Sequence, residues 1–383
     1  MSSRKSLPSR ASLQRMRAHL LDWYDIHQRD LPWRHTHDPY AIWLSETMLQ
    51  QTRVDTVIPY WERFLEHFPT VSALAEAEAE EVYGLWTGLG YYSRARNLLK
   101  AAGQIVADHE GKLPPDAESL RGLAGIGRYT AGAVSSIAFG QEEPLVDGNV
   151  IRVLARRFEI RADVTERSVI EHFWALAAEL VRGPRPGDLN QALMELGATV
   201  CTPRSPQCSE CPLKRSCQGR RAGDPEALPQ KKKKARAQKV DAVAAWITRK
   251  NQALVVQRPE GGLLGGLWEL PGDALGPKES HEAALVRGLA ERVGLTVSHA
   301  EHVGEVEHLF THRRLRLQVY RCPEVQGRVR LEGFMAHRWL SGQKIAALPQ
   351  GGPTRKALSL LGVTSHSSPR QRMRETSEAS SLK

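Results

Sequence analysis

Apolar residues recur at helical spacing through roughly the first 200 residues, and strand-like runs begin only beyond residue 240. Between residues 13 and 28, Leu13, Met16, Leu20, Trp23 and Tyr24 fall on one helical face. Asp38-Pro39 supplies an N-cap and a proline at the first helical position, which starts the stretch YAIWLSETMLQQTRV. That stretch is apolar nearly all round and predicts one buried helix, with Glu46 on the face of Ile42 and Leu49. An acidic helix over 76–86, a glycine turn GLGYYS at 88–93 and a basic helix from Arg94 to about His109 follow. Residues 120–150 read as a short helix, a Gly125-Ile126-Gly127 turn, a helix of small residues and a loop ending at Asp147. Further helices are expected over 150–158, carrying Arg152, Arg156 and Arg157, and over 188–201, carrying Glu195. Beyond 240 come the strand-like VAAWIT and ALVVQR, a helix over 279–293, and strands near 302–310, 314–321 and 334–340. The pattern predicts a multi-domain chain, all-α first and α/β second.

Length and charge add to this. The 383 residues suffice for two or three domains, and a net charge of +10 favours a polyanionic partner. No run of 18 apolar residues exists, so no membrane span is expected. The N-terminus is basic and has no acid before Asp22, but helical periodicity starts at Leu13 and there is no apolar signal core, which predicts a cytoplasmic protein. Four of the five cysteines, Cys201, Cys208, Cys211 and Cys217, lie within 17 residues, in the spacing C-x6-C-x2-C-x5-C. Four thiolates on a proline-containing loop suit zinc or a 4Fe–4S cluster in a reducing compartment. The polar, basic stretch 219–239, with KKKKARAQK, reads as a linker, and residues 350–383 as a partly disordered tail.

Three places carry candidate chemistry. Gly125 and Gly127 make a helical hairpin that leaves the next helix N-terminus bare, where backbone N–H groups can hold a phosphate. Glu46 on an apolar helix is costly unless paired or protonated. It reads either as a general acid with a raised pKa or as a structural ion pair with Arg34 or Arg53. Asp147 reads as a helix N-cap or as a fixed carboxylate beside the hairpin, where the helix dipole favours its anion. Leu89, Tyr91 and Tyr92, exposed beside Arg94 and Arg96, read as a duplex wedge or as the closure of a helical hairpin into the core.

In order and spacing, SETMLQQTRV, GLGYYSRARNL, LAGIGRYTAGA, VDGNV, NQALMELG and the cysteine run resemble the helix-hairpin-helix DNA glycosylases of the endonuclease III superfamily. The match is to the branch that removes adenine mispaired with 8-oxoguanine, over about residues 12–345. The resemblance implies a helical glycosylase domain over 1–218, with its hairpin at 123–131 and a 4Fe–4S loop at 201–217. It further implies a Nudix-like lesion-recognition domain over 240–349. It makes Glu46 the general acid, Asp147 the stabiliser of an oxocarbenium-like sugar, and Tyr129 and Asn149 assisting residues. Arg34, Gln51 and Glu195 match positions lining the adenine pocket, and Leu89 and Tyr91 match those entering the duplex. Lyases of the superfamily carry lysine at the fifth position of a GVGRK hairpin. Tyr129 stands there in GIGRY, which implies a monofunctional enzyme acting as a monomer on duplex DNA with A:8-oxoguanine or A:G mispairs, in the bacterial nucleoid.

The region ALVRGLAERVGLTV resembles the Nudix box, but Gly288 and Arg292 replace its first and last glutamates, which disfavours nucleotide hydrolysis. The resemblance gives lesion reading to Phe310-Thr311-His312, where the family more often has serine in the middle.

Overall fold

The computed structural model describes residues 7–232 and 237–363. Twelve helices precede the sheet among the described residues: α1 (Arg10–His27), α2 (Pro39–Leu49), α3 (Val54–His67), α4 (Val71–Ala75), α5 (Ala79–Trp86), α6 (Ser93–Asp108), α7 (Ala117–Arg121), α8 (Arg128–Phe139), α9 (Gly148–Phe158), α10 (Arg167–Val181), α11 (Pro186–Thr199) and α12 (Gln218–Arg221). A mixed sheet follows, with β1 (Gln238–Arg249), β2 (Gln252–Gln257), β3 (Trp268–Glu269), β4 (Gly272–Ala274), β5 (Thr296–Leu309), β6 (Arg313–Gln326) and β7 (Ala336–Leu340). Helices α13 (His281–Val293), α14 (Gly342–Ala347) and α15 (Gly352–Leu360) complete it.

The chain divides by contacts into two units, Met1–Ala77 with Asn97–Lys234, and Glu78–Arg96 with Ala235–Lys383. In the first, α1, α9, α10 and α11 enclose an apolar core containing Leu20, Val150, Leu154, Phe173 and Leu193. The face predicted for α1 is the buried one, with Leu13, Met16, Leu20, Trp23 and Tyr24 all inside. In the second, the sheet order is β3-β2-β1-β6-β5, with β1 and β6 parallel and β4 and β7 added on β1 and β2. Strand β1 alternates strictly. Val243, Ala245 and Ile247 meet the core under α13, while Ala244 and Trp246 meet the one that holds Ala357 and Leu358 of α15.

Four expectations change. The stretch predicted as one helix through Val54 is two, because Gln51 adopts φ +57° between α2 and α3, outside the helical region. The expected linker is folded up to residue 232. Leu228 is buried, its carbonyl accepts Arg156 Nε at 3.1 Å, and the Gln230 carbonyl accepts the Val164 N–H at 3.0 Å. Only 233–236 of that stretch lie outside the described residues. The expected tail begins as α15, which buries Ala357 and Leu358, whereas 364–383 lie outside the described residues. Finally, residues 78–96 group with the sheet. Arg338 donates to both Glu80 carboxylate oxygens at 2.8 and 3.0 Å, and the Tyr92 hydroxyl donates to the Gln350 carbonyl at 2.9 Å.

Two glycines test the packing with opposite signs. A Cβ on Gly132 of α8 would stand 2.0 Å from the Pro144 carbonyl oxygen, whereas one on Gly103 of α6 meets nothing within 4 Å. Gly132→Ala should lower the unfolding free energy by about 1–3 kcal/mol. Gly103→Ala should raise it by about 0.5–1 kcal/mol, both read from urea midpoints.

Candidate active site

Five elements of the first unit converge on a cavity of about 240 Å³. Glu46 enters from α2, Tyr129 from α8, Asp147 and Asn149 from the start of α9, Met194 and Glu195 from α11, and Arg34 from the short turn before α2. Glu46 and Asp147, about a hundred residues apart in sequence, thus line one space.

Glu46 is 5% exposed, and its Oε2 accepts the Tyr129 hydroxyl at 2.7 Å. Burial pushes its carboxyl up to about 7; the nearby Asp147 charge adds to this, while the Tyr129 hydrogen bond and Arg34 oppose it. The same hydroxyl lies 3.2 Å from Met194 Sδ, and burial raises the Tyr129 phenol well above its ordinary value, so it stays a neutral donor. Asp147 caps α9, accepting the Val150 N–H at 2.7 Å and Asn149 Nδ2 at 2.9 Å. The helix dipole by itself would hold Asp147 at or below the usual carboxylate range. Burial instead raises it, against these donors and Arg152. What distinguishes the two carboxyls is therefore the number of N–H donors around Asp147.

Arg29 closes the wall. It grips Glu195 with Nε at 2.7 Å and Nη2 at 2.9 Å, and Arg34 Nη2 adds a bond at 2.8 Å. Burial works against that carboxylate, but these arginines outweigh it and hold it at about 2. Sequence reading missed Arg29 and Met194, since nothing in their local pattern marks them. It also offered Arg34 or Arg53 as an ion-pair partner for Glu46 in one of its two readings, whereas Arg34 bonds Glu195. Gln51 does not reach the cavity; its left-handed backbone turns it out to solvent.

At the hairpin, Gly125 has φ +75°, and a Cβ there would come within 2.5 Å of Asn97 Cβ. Gly127 is extended and opens α8, whose first N–H groups have no side-chain cap. The expected wedge is narrower than supposed. Leu89 and Tyr92 are buried, Tyr92 being held by the Gln350 carbonyl, while Tyr91 is 45% exposed at φ +48°. Tyr91 and the turn Phe310-Thr311-His312 belong to the same unit, with the Tyr91 and Thr311 hydroxyls 3.5 Å apart. The turn is pinned by the Phe310 N–H on the Arg313 carbonyl at 2.8 Å.

All four clustered cysteines line one small cavity together with Arg156. Arg156 donates to Cys201 Sγ at 3.4 Å and to the Thr202 and Pro203 carbonyls at 2.7 and 3.1 Å, which fixes the loop onto α9. Burial raises the Cys201 thiol, and takes Cys211 up to about 12. Four soft sulfurs around one small cavity, beside a guanidinium, suit a thiolate-bound cluster whose formation releases the thiol protons. In the second unit, Arg292 stands where the last Nudix glutamate belongs, donating to the Gly272 carbonyl at 3.1 Å and lying 3.4 Å from Asp273. A Cβ on Gly288 would press on Asp273 Cβ at 2.7 Å. A guanidinium thus fills the place of a metal-binding carboxylate, and the residues do not fit metal-dependent hydrolysis.

Residues 44–179 match the HhH-GPD superfamily base excision DNA repair protein model, 201–217 the iron–sulfur binding domain of endonuclease III, and 242–360 the NUDIX domain. The chain is 42% identical over 364 residues to the adenine DNA glycosylase of Mus musculus, covering 81% of this chain and 71% of that protein. It is 40% identical over 366 residues to the one of Homo sapiens, covering 81% and 67%. Among solved structures, a thermostable thymine-DNA glycosylase superposes with a TM-score of 0.51 at 28% identity, over 55% of this chain and 98% of that one. With its helical hairpin, iron–sulfur loop and Nudix-like domain in this order, the chain belongs to the adenine DNA glycosylase family.

Proposed function

We propose that this protein excises adenine opposite 8-oxoguanine or guanine in duplex DNA, hydrolysing the N-glycosidic bond and leaving an abasic site. The observation that carries this is Glu46: a buried carboxyl near 7, held by Tyr129, facing Asp147 across one cavity. Adenine leaves poorly until its ring is protonated, and the sugar it leaves becomes cationic. Glu46, part protonated at neutral pH, supplies the proton. Asp147, with Asn149 and the Val150 N–H fixing its oxygens, faces the developing cation. Tyr129 orients Glu46. Among the described residues lining the cavity there is no lysine, so no Schiff base forms and the enzyme is monofunctional. Arg34 and Glu195 form the polar wall toward the base.

The base must leave the stack to reach these groups. The bare N-terminus of α8 after Gly125 and Gly127 grips a backbone phosphate, Tyr91 enters the duplex, and the turn 310–312 reads the opposite lesion. Thr311 keeps a hydroxyl there and adds a methyl. Cys201, Cys208, Cys211 and Cys217 hold a 4Fe–4S cluster, which when bound ties the loop through four thiolate bonds. The protein acts as a monomer, in the cytoplasm at the nucleoid.

Single-turnover assays should show adenine release from duplexes with A opposite 8-oxoguanine or G. Absence of release from both would reject the proposal, and equal release opposite C and T would reject lesion reading by the second unit. Glu46→Gln should bind such DNA and release nothing, and borohydride should trap no covalent adduct with the native protein. Release should decline as pH rises through about 7. In Tyr129→Phe that decline should move to higher pH, because the lost hydrogen bond favours the carboxylate. Burying a protonated Glu46 also ties stability to pH. Its folded value lies above the ordinary 4.5, so its contribution is intact below 4.5 and is lost as pH rises through about 7. Glu46→Gln should therefore be more stable than the native protein at pH above about 8 and gain nothing at acid pH, read from denaturant midpoints.

A further inference from the structure

The Tyr129 hydroxyl carries one proton and faces two acceptors. It lies 2.7 Å from Glu46 Oε2 and 3.2 Å from Met194 Sδ, and burial keeps the phenol neutral, so that proton is never lost. Met194 is half-buried on α11 and lines the Glu46 cavity. Its place is fixed from both sides. Leu193 before it is 1% exposed in the core, and Glu195 after it is bound by Arg29 and Arg34. The Met194 and Tyr129 side chains pack against that same core. The sulfur is therefore held at the hydroxyl, where a leucine of similar bulk would leave it one acceptor.

The two acceptors differ in strength, and the difference depends on the state of Glu46. An ionised carboxylate accepts about twice as strongly as a neutral group, whereas a thioether is a weak acceptor throughout. While Glu46 carries its proton, its advantage over the sulfur is small, and the Tyr129 O–H is free to turn to Met194. The phenol oxygen then accepts the Glu46 O–H. Once the proton leaves, the charge on Oε2 draws the Tyr129 O–H back. One rotating hydroxyl thus serves both states of the acid.

We propose that Met194 is a positioning residue for the acid: its thioether takes the Tyr129 hydrogen bond while Glu46 holds its proton, and yields it when that proton leaves. This deepens the reading of Glu46 as the general acid and rests on it for the destination of the proton. Met194 acts through Tyr129 and favours the loaded acid. The other charged or titratable groups lining the cavity, among the described residues, are Arg29, Arg34, Asp147 and Glu195, and replacing Met194 alters none of them.

The test is the titration of Glu46 in the cluster-loaded full chain without DNA, read from its infrared carboxyl band with Glu46→Gln as the blank. In Met194→Leu the Tyr129 proton has only Oε2 left, which favours the carboxylate, so the Glu46 midpoint should fall by about 0.3 pH unit or more. Adenine release above the midpoint should then slow about twofold, its decline moving to lower pH, the direction opposite to Tyr129→Phe. In a Tyr129→Phe background the same substitution should move nothing, because no hydroxyl remains to redirect. The exchange conserves volume; should it fail to fold, Met194→Ile, equally without an acceptor, makes the same comparison. An unchanged or raised midpoint overturns the proposal. So does an equal fall in the Tyr129→Phe background, which would make Met194 a packing residue that acts through burial alone. A lowered midpoint that depends on Tyr129, in a protein that releases no adenine, would uphold the proposal and reject the glycosylase reading instead.

Discussion

The burial of one carboxyl group, Glu46, sets the terms for everything around it. Helix α2 is inside on nearly every face, with Tyr40 through Met48 all buried, so Glu46 is almost wholly withdrawn from water. Desolvation disfavours its anion, and the Tyr129 hydroxyl offsets that only in part. The result is an acid that holds its proton near neutral pH and has a donor to fix its direction. An arginine bonded to Glu46 would cancel this. Arg34 is near enough to act on Glu46 electrostatically, yet its hydrogen bonds go to Glu195 and the Arg29 carbonyl. Glu195, gripped by Arg29 as well, thus keeps a cation of the cavity wall occupied and leaves Glu46 unpaired.

Helix α9 supports the opposite side. Its first turn carries Asp147 and Asn149, and one turn on, Arg152 bonds Asn149 Oδ1 at 2.7 Å and the Cys201 carbonyl at 2.7 Å. A turn further, Arg156 is buried against the cysteine loop. A rigid helix therefore carries a carboxylate at one end and the anchor of the cysteine loop along its flank. The second unit shows the reverse of a preserved site. The Nudix architecture persists in sheet and helix, while Arg292 stands in the place of a box glutamate and pairs with Asp273. The scaffold remains, and exposed residues such as Thr311 and His312 are what it presents.

Local pattern carries a long way. The helical period of α1, the Asp38-Pro39 start of α2, the Gly-x-Gly hairpin and the strand at VAAWIT each appear as read, because each depends on neighbours within a turn or two. The cysteine spacing likewise restricts the chemistry to a few metals through ligand type and number alone. Pattern fails where a single residue overrides it. Gln51 leaves helical space and ends α2 early, and Leu228 draws a polar stretch onto the first unit.

What the sequence determined alone was therefore the kind of element at each place and the residue types available for chemistry. What only the tertiary structure decided was which of them meet. Glu46 and Asp147 are both plausible caps or ion-pair partners in isolation, and only packing sets them across one cavity. The partner of Arg34 is Glu195, distant in sequence. Asp147 is raised rather than held low because burial outweighs the helix dipole. Desolvation and long-range pairing are properties of the assembled core, and neither has a local signature along the chain.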